Sequence, residues 1–366
     1  MIEGIVPSEI RAEGEAIRAT LTASLLDARS AATALRAAGT RRIHVIGNGT
    51  SYHSALAAAT LYRRHADVDD PPVIALNAGE FRNYPPALGA SDAVIGISAS
   101  GEFRDVLAVT DRLRGRVPTV GIVHVPGSTL DRTADHVVRS AGGPGGVPVM
   151  TKTFVATLTA THLVLGELLG GERAAAVRTA LSAAADAVDA AVTSAATRVE
   201  RLAAELVDVE HVFVVGSGNA TAAALEAALK LKEMAIVHAE GAESWEMASG
   251  AATILGPGSV VVALAPTGRG REATIDVARH AAGWGARIVE VGPGIEPTIV
   301  GADHLPLPAT AHEDYAPLVA VAPVALLAFV LARQRGHDPD RPGWVERYHS
   351  QGLRHIVGVD ATAAGG

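Results

Sequence analysis

Three landmarks recur in this chain at nearly one spacing, and that repetition limits its fold more than any other feature. His44-Val45-Ile46-Gly47-x-Gly49 returns as Phe213-Val214-Val215-Gly216-x-Gly218, a shift of 169. Ser98-Ala99-Ser100-Gly101 returns as Ala265-Pro266-Thr267-Gly268, a shift of 167, and Ala134-Asp135-His136 as Ala302-Asp303-His304, a shift of 168. Each of the first two follows a short apolar run and leads through a turn into helical sequence, which is the grammar of a buried parallel strand in a βαβ unit. Three matches at one offset point to duplication of a whole domain. The expected fold class is α/β, with two tandem domains, each a doubly wound parallel sheet flanked by helices.

Between the landmarks the reading is consistent. Ile10, Ile17, Leu21 and Leu25 are spaced for one face of N-terminal helix. Further strands are expected at 73–76, 93–97, 120–123 and, at an edge, 135–138. Residues 172–206 are Ala-rich and amphipathic and lack a Gly/Ser/Pro run, so they read as packed helix and not as a free linker. The expected organisation is a helical segment over 1–38, a first α/β domain over 39–170, a helical connector over 171–207, a second domain over 208–335 and a tail over 336–366.

Composition excludes several function classes. The net charge is −8 and no Lys/Arg block interrupts the chain, which argues against nucleic acid or an anionic membrane as partner. There is no Cys, so disulfides, thiolate nucleophiles and Cys-based zinc sites are out together, and a reducing, cytoplasmic setting fits. The Met1-Ile2-Glu3 start has no basic or apolar leader. The most apolar run, 316–332, contains Pro317 and Pro323 and is short for a membrane span, so a buried helix is expected. No metal or cofactor is expected. Gly47-x-Gly49-x-x-Tyr52 and Gly216-x-Gly218-x-x-Thr221 both lack the third glycine of a dinucleotide fingerprint.

Two constellations carry chemistry. In Leu225–Glu240 (LEAALKLKEMAIVHAE), Glu226, Lys230 and Glu233 stand at i, i+4 and i+7 and share one stripe of a helix. A salt-bridged surface stripe would look the same in isolation. Its setting differs: the apolar segment is preceded by a strand and glycine turn, and such turns lie at the carboxyl edge of a parallel sheet, where ligands bind. The second constellation is Gly49-Thr50-Ser51 with Ser98-Ala99-Ser100-Gly101. Both turns open helices, so backbone N–H groups, hydroxyls and helix dipoles are aimed at one place, suited to an anion such as phosphate. Ser and Thr are also ordinary helix caps.

The wording of these segments resembles the sugar isomerase (SIS) domain family, as in the isomerase half of glucosamine-6-phosphate synthase and in related sugar-phosphate deaminases and deglycases. Leu225-Glu226-Ala227-Ala228-Leu229-Lys230-Leu231-Lys232-Glu233 is similar to the family's L-E-G-A-L-K-L-K-E. The two Ser-rich turns are similar to its G-T-S-Y and S-Q-S-G-E-T loops, with Phe103 in place of the last Thr. Val125-Pro126-Gly127-Ser128-Thr129-Leu130 is similar to V-P-G-S-S-L, and Glu13-Gly14-Glu15-Ala16-Ile17-Arg18 to the E-Q-P-E-A-I-R opening. The resemblance implies Glu233 as the base that moves a proton between sugar C1 and C2, with Lys230 and Glu226 as its supporting charges. It implies phosphate at Gly49, Thr50, Ser51, Ser98, Ala99, Ser100 and Gly101, in the first domain only, because Ala265 replaces the first Ser of the second. Ser249 stands where the family has the His that opens the sugar ring, near Glu246; Arg347 stands near the family's tail Lys, followed by His349.

The function implied is that of a phosphosugar isomerase or amino-sugar-phosphate deaminase/isomerase without a glutaminase half, its partners a sugar phosphate and a second copy of itself in a homodimer. The alternative is a non-catalytic sugar-phosphate-binding regulatory protein.

Overall fold

β-branched runs ending in glycine or small polar turns form the strands of the computed structural model, which describes residues 2–346. In the first half these are β1 (Arg42–Gly47), β2 (Val73–Asn77), β3 (Asp92–Ile97), β4 (Thr119–Val123) and β5 (His136–Arg139). In the second half they are β6 (His211–Gly216), β7 (His238–Glu243), β8 (Ser259–Leu264), β9 (Arg287–Pro293) and β10 (Asp303–Leu307). The first sheet is ordered β2-β1-β3-β4-β5 and the second β10-β9-β8-β6-β7, every pair parallel. Reading β6 as the counterpart of β1, the two orders are the same. The duplicated landmarks therefore belong to a duplicated sheet.

In each sheet the strand order reverses between the first and third strands of the unit, β1/β3 and β6/β8. That is the switch point at which neighbouring βα turns diverge and leave a crevice. The turns read from sequence as chemical, 47–51 and 98–101, leave those two strands of the first sheet.

The chain packs as two units. One comprises residues 2–15, 145–152 and 182–342 around the second sheet; the other comprises residues 16–144, 153–181 and 343–346 around the first. The first core gathers Ile46, Phe81, Val94, Val106 and Leu130, with Phe103 packed against it. The second gathers Phe213, Val261, Ile275 and Ile288. Helix Ile5–Arg11 is tied into the second-sheet unit by Asp340, whose carboxylate accepts from the N–H groups of Ile5 (2.9 Å) and Val6 (2.8 Å).

The apolar stretch Glu313–Gln334 is 22 residues long and apolar enough to cross a membrane, yet it is buried within the protein except at its last two residues. Its prolines divide it into Ala316–Val319 and Val321–Gln334, and the longer helix packs on helix Ala220–Ala235. It is a core helix, as its prolines and length suggest.

Helix Lys152–Leu169 is buried along nearly its whole length, and it carries His162 at 1% exposure. Burial pushes the pKa of this imidazole down to about 3. A histidine whose folded pKa lies below its unfolded value near 6.5 leaves stability intact above that value and removes it as pH falls toward 3. The loss is on the order of 5 kcal/mol when complete. Urea unfolding of the wild type should therefore weaken between pH 6.5 and 4 more steeply than that of His162→Phe; parallel profiles would show that His162 does not control acid sensitivity.

Candidate active site

At the first-sheet switch point, the turn after β1 depends on two glycines for different reasons. A Cβ on Gly47 would lie 2.6 Å from the Ser51 backbone, so only glycine lets the following helix sit this close to the strand. Gly49 has φ 51°, in the left-handed region that favours glycine. Helix Thr50–His65 starts immediately after it. In the turn after β3, Gly101 has φ 68°, and a Cβ there would overlap Ser128, which is buried with a hydroxyl that finds no hydrogen-bond partner.

The serines of this turn do double duty. Ser98 Oγ accepts from Phe103 N at 3.3 Å and Ser100 Oγ from Glu102 N at 3.2 Å, so both brace the turn that leads into helix Arg104–Leu113. The Ala99 carbonyl is held by the N–H groups of His124 and Val125. Glu102 reaches across to accept from Thr129 N at 2.7 Å, locking the turn to the 125–130 loop. Phe103 turns into the core, so no side chain replaces the hydroxyl that the resembling sequences carry there. Arg82 and Arg104 flank the same helix start, but both are paired with Asp105, at 2.7 and 3.3 Å. The groups this turn offers without a committed ion-pair partner are backbone N–H groups and hydroxyls.

The charged stripe lies on helix Ala220–Ala235. Lys230 Nζ is 3.1 Å from Glu226 and 2.7 Å from Glu233. Glu226 is fully buried and Lys230 is 1% exposed, whereas the Glu233 side chain keeps 24% exposure. Burial works against charge on Lys230, but Glu226 and Glu233 outweigh it and hold the ammonium above its ordinary range. Lys230 is therefore a fixed cation that positions Glu233, and it is too deep to polarise a substrate itself.

The stripe is not beside the glycine turn, as its sequence setting suggests. The helix rises about 1.5 Å per residue, so Glu233, thirteen residues beyond Ala220, is roughly 20 Å along it from the turn. The helix ends at Ile236 with φ 52° and ψ 44°, the one non-glycine residue with positive φ among the described residues. A β-branched residue there carries strain of order 1–2 kcal/mol, and it sits three positions after Glu233.

Ser249 and Glu246 lie after β7, on and just beyond the short helix Ser244–Ala248. Ser249 Oγ donates to the Trp245 carbonyl at 2.7 Å, ending its own helix. The side chain of Glu246 is exposed. His238 begins β7 at the amino edge of the sheet, with its ring against His211. Arg347, His349 and His355 lie outside the described residues. Among the described residues no group of three or more His, Asp or Glu is placed to hold a metal ion.

Sequence reasoning missed one member of the cluster. Glu13 is 3% exposed. Burial pushes its carboxyl well above the usual carboxylate range; Lys230 pulls it down, and Glu9, Asp189 and Glu226 push it further up. The sequence places Glu13 in a family-like segment but gives no sign that it joins a charge more than two hundred residues away. A carboxyl whose folded pKa is raised supports the fold below its unfolded value, about 4.5, and weakens it as pH rises through the folded value. Glu13→Gln should therefore raise the melting temperature at pH 7–8 and leave it unchanged below pH 4.5. An equal effect at both ends would mean that only packing changed.

Comparison with known proteins places these features in a family. The SIS domain model matches residues 38–166 and 205–320, one match over each sheet. The chain is 34% identical over 305 residues to the glutamine–fructose-6-phosphate aminotransferase [isomerizing] of Pyrococcus horikoshii, covering 82% of this chain and 50% of that protein. The corresponding protein of Gloeobacter violaceus is also 34% identical, over 310 residues, with 82% and 50% covered. The chain thus spans about half the length of the curated relatives it matches. Among solved structures, the C-terminal domain of glucosamine-fructose-6-phosphate aminotransferase from Francisella tularensis superimposes with a TM-score of 0.85 at 26% identity, covering 93% of this chain and 99% of that one. A glucosamine-6-phosphate deaminase from Thermotoga maritima shares the fold, with a TM-score of 0.72 at 22% identity over 93% of this chain and 98% of that one. This chain belongs to the SIS domain family and carries two SIS domains in tandem.

Proposed function

We propose that the chain is an enzyme that moves a proton between C1 and C2 of a phosphorylated sugar or amino sugar, as an aldose–ketose isomerase or a deaminating isomerase. The observation that carries this reading is the contrast within the charged stripe. Lys230 and Glu226 are buried and fixed, while Glu233, bonded to the same ammonium, keeps an exposed edge. A carboxylate held in one orientation yet reachable from solvent can take a proton from one carbon and return it to the next. The phosphate anchor is assigned to Gly49, Thr50, Ser51, Ser98, Ala99, Ser100 and Gly101, on turns whose helix starts and hydroxyls suit an anion without a committed cation. The isomerizing aminotransferases to which the chain is similar support the reaction class. The working form is taken to be a cytoplasmic homodimer.

Ser249 favours a second reading. Its hydroxyl is spent on the Trp245 carbonyl, so it supplies neither a base nor a free donor. A chain that binds a sugar phosphate without turning it over would tolerate that arrangement.

Two measurements separate the readings. Glu233→Gln should abolish solvent-deuterium incorporation at C1/C2, while Ser249→Ala slows it by less than about tenfold. Wild-type exchange in Glu233→Gln would overturn the base assignment. Ser98→Ala with Ser100→Ala should weaken calorimetric binding of a 6-phosphorylated sugar at least tenfold, about 1.4 kcal/mol. Unchanged affinity would place the phosphate elsewhere.

A further inference from the structure

The second sheet has its own switch point, between β6 and β8, and its own pair of turns, Ser217–Asn219 and Ala265–Gly270. They occupy the same topological position as the two turns of the first sheet, and helices of 16 and 13 residues, Ala220–Ala235 and Arg271–Gly283, start from them. In the second sheet this place is filled by the chain itself. Thr267 N and Thr267 Oγ1 both donate to the Ala311 carbonyl, at 3.0 and 2.7 Å, and Glu313 N donates back to Thr267 O at 2.8 Å. These bonds lay the segment 311–313 along the turn and deliver the side chain of Glu313, which is 3% exposed, into it.

The Glu313 carboxylate then does what a bound anion would do. Its Oε2 accepts from Gly270 N, at the cap of helix Arg271–Gly283, at 2.7 Å. It also reaches the other turn, lying 3.9 Å from where a Cβ on Gly218 would be. A Cβ on Gly268 would overlap the carboxyl carbon at 2.3 Å, so the glycines that let an anion approach the backbone are here used to admit Glu313. Asn219, fully buried at the start of helix Ala220–Ala235, donates from Nδ2 to the carbonyl of the next residue, Asp314. One carboxylate is thus bonded to one turn of the switch point and lies close to the other.

We propose that the second SIS domain retains a phosphate-type cradle at its switch point and keeps it occupied by its own Glu313 carboxylate, so that each chain offers one open anion site, in the first domain. A second consequence follows from the same contacts. Next to Glu313, the Asp314 carbonyl accepts from Asn219 Nδ2 and ties the lead-in of the core helix Val321–Gln334 to the start of the Glu226/Lys230/Glu233 helix, so the segment that carries the internal anion also holds that helix. The proposal extends the assignment of the first-domain turns as an anion site and does not depend on the proton-transfer chemistry.

The test uses the full chain as wild type, Glu313→Ala and Glu313→Gln, each also combined with Ser98→Ala and Ser100→Ala. Inorganic phosphate and sodium acetate are the probes, compared with sodium chloride at matched ionic strength. Glu313→Ala should bind one more equivalent of phosphate per chain than the wild type, and the extra equivalent should persist when Ser98 and Ser100 are replaced. Its melting temperature should fall in chloride and recover in acetate or phosphate, whereas Glu313→Gln, whose amide fills the same volume, should gain neither the extra equivalent nor the recovery. If Glu313→Ala folds only with acetate or phosphate present, that dependence supports the proposal equally. A folded Glu313→Ala that responds to acetate and phosphate no more than the wild type does would overturn it. So would failure to fold in any salt while Glu313→Gln keeps wild-type stability. Failure of the first-domain phosphate assignment is read separately, as equal phosphate binding by the wild type and the Ser98/Ser100 variant.

Discussion

An ammonium group with almost no access to water sits at the centre of the second domain, and much of the local structure answers to it. Desolvating Lys230 is costly, and the two carboxylates at 3.1 and 2.7 Å are what make it tolerable. Removing either partner would leave the buried ammonium with one carboxylate in place of two, and so less well compensated for its lost hydration. The surrounding helix is mostly alanine, with Ala223, Ala224, Ala227 and Ala228 all buried, so its neighbours approach closely and exclude water. That packing reaches Glu233 through its ionic bond to Lys230, the feature on which its proposed role as a base rests. Strain at Ile236 lies at the end of the same helix, where the backbone must turn sharply into β7.

The two domains show how one backbone plan serves two purposes. Both sheets have the same strand order, and both carry glycines at the first switch-point turn that bring helix and strand together; a Cβ on Gly216 would meet the Ala220 backbone at 2.6 Å, as one on Gly47 meets Ser51. The divergence is in a few side chains. Ser98 and Ser100 face Ala265 and Thr267 across the duplication, and the Thr267 hydroxyl is committed to a backbone carbonyl. Asn77 and Glu243, at matching strand ends, each cap the short helix that follows, at 2.9 and 2.7 Å to the nearest N–H. Capping of these short helices is thus kept in both halves, while the hydroxyl-rich loop is kept in the first alone.

Most of the fold was legible because its signals are local. A β-branched run, a glycine turn and an amphipathic helix each declare themselves within about a dozen residues, and a constant offset then converts them into a duplicated sheet. The i, i+4, i+7 pattern likewise placed Glu226, Lys230 and Glu233 on one stripe. What was not legible depends on contacts between distant segments. Nothing near Glu313 marks it as the occupant of a turn more than forty residues earlier, and nothing near Glu13 marks it as a neighbour of Lys230. The sequence also set the stripe beside the sheet edge, because adjacency along the chain was read as adjacency in space. A helix undoes that inference at 1.5 Å per residue.

The position of Glu13 completes the electrostatic argument. Lys230 supplies one positive charge, and Glu226 and Glu233 already exceed it by one. An ionised Glu13 in the same low-dielectric surroundings would be drawn to Lys230 but repelled by Glu9, Asp189 and Glu226. Holding Glu13 neutral further up the pH scale avoids that repulsion and leaves the ammonium undivided between its two bonded partners. The N-terminal segment therefore contributes more than packing to this domain: it brings a buried acid into the field of Lys230 and Glu226.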